Sequence, residues 1–156
     1  MQKFPIGRAA CFEIDCARRV LAAADPALAG RIRLVRALLP APDLTAAGYD
    51  LVVSNSLLHH LHDPGVLWNT VKHAGRRGAR VVVMDLFRAG SPAAAADIVA
   101  RYAGAEPEVL RNDFYNSLLA AFTPDEVRAQ LGAAGLDHFT VTIVSDRHLL
   151  VAGTLR

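Results

Sequence analysis

Apolar residues along the chain gather into short runs of strand length, separated by stretches with the three-to-four spacing of helices. Ala9-Ala-Cys-Phe-Glu-Ile14 is the first such run, and the Ala-, Arg- and Leu-rich stretch from Cys16 to Ala24 that follows predicts a helix stopping at Asp25-Pro26. Arg31-Ile-Arg-Leu-Val35 alternates with the two-residue period of a strand. A proline-rich connection, Pro40-Ala-Pro-Asp-Leu44, leads into Tyr49-Asp-Leu-Val-Val-Ser54, whose unbroken apolar centre suits a strand buried on both faces.

Asp63-Pro64 then reads as a helix start with proline in the first turn, and Val66, Leu67, Val71 and Ala74 mark the buried side of that helix. After a break at Gly75 to Gly78, Ala79-Arg-Val-Val-Val-Met-Asp85 is the clearest buried strand in the chain, and it ends on an acid. Ser91-Pro92 starts another helix. Thr123-Pro-Asp-Glu126 is a capping box, and Gly135 is its helix's left-handed stop. His138 to Val144 and His148 to Ala152 form an antiparallel pair across Ser-Asp-Arg. Strands alternating with helices predict an α/β fold: an open, mainly parallel sheet with helices on both faces and a C-terminal antiparallel strand pair. In such sheets ligands sit beyond the carboxyl ends of the strands.

Length and composition narrow the class. A chain of 156 residues, 53% hydrophobic, predicts one domain able to bury a core. Seventeen Lys and Arg against fifteen Asp and Glu leave a net charge of +2, too small for a strong field toward nucleic acid or an anionic membrane. Cys11 and Cys16 are spaced for neither a redox pair nor a zinc knuckle, and the N-terminus lacks the apolar core of a signal peptide. A soluble, cytoplasmic protein that acts on a small molecule, and not on nucleic acid or membrane, is the expectation.

The chemistry concentrates in Ser54-Asn-Ser-Leu-Leu-His-His-Leu-His-Asp63, directly after the Tyr49 run. A metal site needs three or four ligands converging on one point, whereas His59, His60, His62 and Asp63 are too close in sequence to face one way, and no HExxH completes them. No metal is expected. An imidazole here could instead handle a proton, His60 before His59, or simply order the turn by bonding backbone. Asp15 closes the first apolar run, where a carboxylate could accept two ribose hydroxyls or cap the next helix. Asp85, Tyr102, Asp113, Tyr115 and Asn116 could line a substrate side of the same crevice, while Phe87, Phe114 and Phe122 read as core.

Taken in order, Phe12-Glu-Ile-Asp15, the run YDLVVSNSLLHHLHDP, the run GARVVVMDLF and the closing AFTPDEVRAQLGAAGL with its strand pair resemble the class I S-adenosylmethionine-dependent methyltransferases over nearly the whole chain. The resemblance implies a Rossmann-like sheet and S-adenosylmethionine as cofactor. Asp15 would hold its ribose, with Cys16 and Leu38 also on the cofactor side. Ser54, Asn55 and Ser56 would border the methionine portion, and His59 and His60 would face the transfer site. Methyl transfer itself needs no metal, because a sulfonium is already a good leaving group.

The chain departs from that family in two ways. No G-x-G turn occurs, so the family's first strand and its glycine turn, on the order of 30 residues with the following helix, have no counterpart. The absent strand would lie beside both the Asp15 strand and the Tyr49 strand, and its loss would expose two edges. Adenine, second, would meet no acid after Val35-Arg-Ala-Leu-Leu39. The chain therefore reads as an N-terminally truncated methyltransferase domain. Its alternative is a noncatalytic scaffold completed by a partner subunit, for which a homodimer covering the exposed edges is one form. A nicotinamide-dependent oxidoreductase also needs the glycine turn, and no Tyr-x-x-x-Lys pair is present.

Overall fold

The structure is a computed structural model that describes residues 16–23, 27, 30–40 and 44–156. It divides into two compact units, Met1–Leu38 and Leu39–Arg156. In the first, residues 16–23 are helical as their composition predicts. The alternating run Arg31–Val35 is not a strand: it is irregular, and Ile32 and Val35 are exposed. Period-two alternation stabilises a strand only where a neighbour completes the ladder, and no such neighbour pairs with this run among the described residues. The strand read over Ala9–Ile14, and Asp15 with it, lies outside the described residues.

The second unit holds a four-stranded sheet of order β1-β2-β4-β3, formed by β1 (Tyr49–Asn55), β2 (Gly75–Leu86), β3 (Thr140–Ile143) and β4 (His148–Thr154). β1 and β2 are parallel; β2 with β4 and β3 with β4 are antiparallel. Among the described residues the sheet is thus parallel only on its β1 side, because the two earlier strands expected to extend it are respectively irregular and outside the description. The C-terminal antiparallel pair forms as read, with β4 inserted between β2 and β3.

A parallel crossover carries the chain from β1 to β2 through a single 3₁₀ turn, Leu58–His60, and helix α1 (Gly65–Ala74). The helix starts one residue later than read, with Pro64 and not Asp63 at the N-cap, although Asp63 accepts the Gly65 N–H at 2.9 Å; Leu67, Trp68, Val71 and Ala74 point inward, close to the stripe read from sequence. Helix α4 (Pro124–Ala133) keeps its capping box: Thr123 Oγ1 accepts from Glu126 N, while Glu126 takes the Thr123 N–H at 2.8 Å. The backbone N–H and the nearby Arg88 guanidinium hold the Glu126 carboxyl below its ordinary range.

These two helices and the sheet enclose the main core, in which Trp68, Val83, Val127, Leu149 and Val151 are buried. A second, smaller core joins Leu86, at the carboxyl end of β2, to helices α2 (Pro92–Ala103) and α3 (Glu108–Ala120) through Ala95, Val99 and Leu118. On β1, Val52 packs toward the main core, but Leu51 and Val53, on the opposite face, are 53% and 62% exposed. Among the described residues β1 pairs only with β2. No helix of the described residues is long and apolar enough to cross a membrane.

Candidate functional site

Because β1 and β2 are parallel, their carboxyl ends lie side by side, with Asn55 opposite Met84. Ser56 then adopts a left-handed backbone (φ 53°) and donates its N–H to Met84 O at 2.9 Å. That bend is costly for a residue with a side chain, and it turns the chain back over the end of β2. The 3₁₀ turn Leu58–His60 is thereby brought onto Asp85.

Asp85 is 1% exposed, and its carboxylate is fully engaged. Oδ2 accepts the Leu58 N–H at 2.7 Å; Oδ1 accepts the Leu86 N–H at 2.8 Å and meets His59 Nδ1 at 2.5 Å. Burial pushes this carboxyl upward, but the bond and charge of His59 and the two backbone N–H groups outweigh it, so the group sits below the usual carboxylate range. An ionised carboxylate only accepts. When neutral, His59 must therefore carry its proton on Nδ1, which leaves the lone pair on Nε2. The His59 side chain is 5% exposed, so the ring is shielded from bulk water.

The HHLHD cluster thus separates into four different environments. His59 is clamped by Asp85, and His60 is exposed with its ring 3.9 Å from that of His59, tilted by 42°. His62 is exposed, and Asp63 accepts the Gly65 N–H in the turn before α1, whose N-cap is Pro64. Among the described residues no group of three His, Cys, Asp or Glu is gathered to hold a metal.

The other sequence candidates fall as follows. Ser54 Oγ is buried and has no hydrogen-bond partner among the described residues, while Asn55 and Ser56 form an exposed polar rim beside it. An orphaned hydroxyl next to free polar groups fits a ligand with donors and acceptors of its own, such as the amino-acid end of S-adenosylmethionine. Cys16 and Leu38 belong to the other unit, where both are exposed, Leu38 at 79%. Tyr102 is committed elsewhere: its hydroxyl donates to Asp146 at 2.9 Å and the Arg147 guanidinium stacks 3.4 Å from its ring centre. Asp113 and Asn116 are exposed on α3, whereas Phe114 and Tyr115 pack on the smaller core and Phe87 and Phe122 on the main one. Sequence reading placed Asp85 in the crevice wall but missed its pairing with His59. The available signal was a lone acid inside Val-Val-Val-Met-Asp-Leu-Phe, since a carboxylate buried in an apolar strand requires a partner.

A second imidazole borders this end of the sheet. His148 opens β4 opposite Leu86; burial first, then the charge of Arg147, hold it below its ordinary value of 6.5. Ser145 Oγ accepts the His148 N–H and lies 3.0 Å from His148 Nδ1, to which its hydroxyl donates. With a depressed folded-state value, the unfolded chain takes up the proton first as pH falls. Stability should therefore decline below about pH 6.5 through His148 and again in acid, below the ordinary 3.8 of a free aspartate, through Asp85. Urea midpoints measured from pH 8 to pH 3 check this: His148→Gln should remove the upper decline, and an unchanged upper decline would contradict the assignment.

No protein-family model and no curated protein sequence matches the chain. Solved structures do. A SAM-dependent methyltransferase from Aquifex aeolicus superposes with a TM-score of 0.51 at 15% identity, over 80% of this chain and 55% of its own. PigF with SAH gives 0.59 at 16% identity, over 99% and 42%; a possible exported protein from Bordetella parapertussis gives 0.61 at 24%, over 91% and 49%. The chain spans about half the length of these structures. The fold is that of the class I S-adenosylmethionine-dependent methyltransferases.

Proposed function

We propose that the chain is part of an S-adenosylmethionine-dependent methyltransferase acting on a small-molecule acceptor, with His59 as its proton acceptor. The observation that carries this reading is the Asp85–His59 pair at the adjoining carboxyl ends of β1 and β2, where ligands of open α/β sheets bind. Support comes from the fold, the orphaned Ser54 hydroxyl and the solved neighbour that holds SAH.

In this reading Ser54, Asn55 and Ser56 hold the methionine portion and Asp15 the ribose, with Cys16 and Leu38 beside the nucleoside. S-adenosylmethionine, when bound, supplies a methyl group on a positively charged sulfur that leaves readily. The protein's own contribution is orientation and a base. His59 Nε2 takes the proton of the acceptor as its nucleophilic atom attacks. Asp85 fixes the ring by its Nδ1–H, steadies the imidazolium that forms and keeps the loop closed through Leu58 N–H. His60 stacks on His59 and shapes the lip. A small net charge argues for a small-molecule acceptor rather than nucleic acid. An exposed, unpaired Cys16 suits the reducing cytoplasm.

Titration calorimetry with S-adenosylhomocysteine tests the reading. Saturable micromolar binding, weakened by Asp15→Ala by about 1–3 kcal/mol, is expected. Absence of binding by a folded chain would overturn it. That outcome would favour the second reading, a noncatalytic scaffold completed by a partner subunit or a second copy, which the exposed Leu51 and Val53 favour on a β1 that pairs, among the described residues, with β2 alone.

A further inference from the structure

At the opposite end of β2, the junction of α1 and β2 meets the loop after α4 and the residues following β4 around a cavity of about 390 Å³. Its lining brings together Lys72, Arg77, His138 and Arg156 against the Asp137 side chain and the main-chain carboxylate of Arg156. A chain whose charge is otherwise nearly balanced, at +2 overall, thus concentrates three fixed positive charges in one recess.

Part of that charge has a structural use. Lys72 Nζ donates to Ala134 O at 2.9 Å, answering the negative end of α4, and a His138 ring nitrogen, Nε2, donates to Thr154 O at 3.0 Å. Arg77 and Arg156 are different. Arg76, Arg88, Arg101, Arg128 and Arg147 all pair with acids, yet neither of these two makes an ion pair among the described residues. Two unspent guanidinium forks, joined by the remaining ammonium hydrogens of Lys72, form a donor-rich wall with few acceptors. The volume is that of a small-molecule pocket.

We propose that this recess binds a compact multivalent oxyanion of the phosphate-ester class, held by Arg77 and Arg156 with Lys72 as a third cation. The site lies level with Ala79, roughly 20 Å from Asp85 at about 3.3 Å per strand residue. It would therefore be occupied independently of the methyl-transfer crevice and stands whether or not that reading holds.

Inorganic pyrophosphate is the probe, titrated into the whole chain at constant ionic strength and followed by amide NMR shifts. Saturable one-to-one shifts confined to Lys72, Gly75–Arg77, Gly135–His138 and Leu155–Arg156 are expected. Arg77→Ala and Arg156→Ala, both at exposed positions, should each weaken binding at least tenfold, and Asp137→Asn should tighten it. Non-saturating shifts spread over all basic residues, or unchanged affinity in both arginine variants, would overturn the proposal. So would a single-stranded oligonucleotide that binds here more tightly than pyrophosphate, which would mark a nucleic-acid surface instead.

Discussion

Replacing Asp85 with alanine is expected to destabilise the protein by about 3–5 kcal/mol, the range for removing one partner of a buried charged pair. The carboxylate satisfies three groups at once: the Leu58 N–H, the Leu86 N–H and His59 Nδ1. Its deletion leaves those donors without an acceptor where water scarcely reaches, at 1% exposure. It also releases the turn Leu58–His60 from the end of β2, so the loss is of loop position as well as of hydrogen bonds. Urea unfolding of the wild type and Asp85→Ala measures the difference. Asp85→Asn separates the two effects. Its amide oxygen can still take the Leu58 N–H, so the loss of stability should be smaller, but its NH₂ would donate to His59 Nδ1 and push the ring proton to Nε2. A loss in Asp85→Ala below about 1 kcal/mol, the value of an ordinary hydrogen bond, would show that the carboxylate is not the clamp described.

Trp68→Ala should cost a similar amount, about 3–5 kcal/mol, for a different reason. Trp68 is 0% exposed and lies in α1 among Leu58, Leu67, Val71, Val127 and Leu131, where it fills the space between two helices and the sheet. Its indole N–H reaches Gln130 Oε1 at 3.2 Å, tying α1 to α4. Truncation removes the largest buried side chain and leaves a cavity that the sheet cannot close, since its strands are fixed by their ladders. Trp68→Phe, which keeps much of the volume and loses the hydrogen bond, should recover more than half of the loss in the same urea experiment. Equal losses in the two variants would mean that the Gln130 bond, and not packing, holds α1 in place.

These residues also show what could be read before the structure. The inward stripe of α1, the capping box of α4, the buried strand through Val81 and Val83 and the closing antiparallel pair all carry their signal in spacing over a few residues. Local periodicity is sufficient there because each element buries one face against a neighbour close in sequence. Helix α3 was not legible: only Leu118 of its thirteen residues is fully buried, so it presents no sustained apolar stripe. Arg31–Val35 failed in the opposite way, with a strand-like pattern and no ladder to join.

At the candidate site, the sequence pointed to Ser54–Asp63 and put His60 before His59 as a proton carrier, whereas the ring that meets Asp85 is that of His59. Which of two adjacent histidines is clamped depends on Asp85, 26 positions away, and on the left-handed bend at Ser56, neither of which local spacing reveals. Asp15, the residue on which the ribose assignment rests, lies outside the described residues.

The most direct measurement is the tautomer of His59, read from its ring nitrogens by ¹⁵N NMR at a pH where the ring is neutral, in the wild type and in Asp85→Asn. The proton should reside on Nδ1 in the wild type, with Nε2 bare, and should move to Nε2 in the variant. A wild-type ring already protonated on Nε2, or averaging between both nitrogens exactly as in Asp85→Asn, would contradict a base held ready by Asp85.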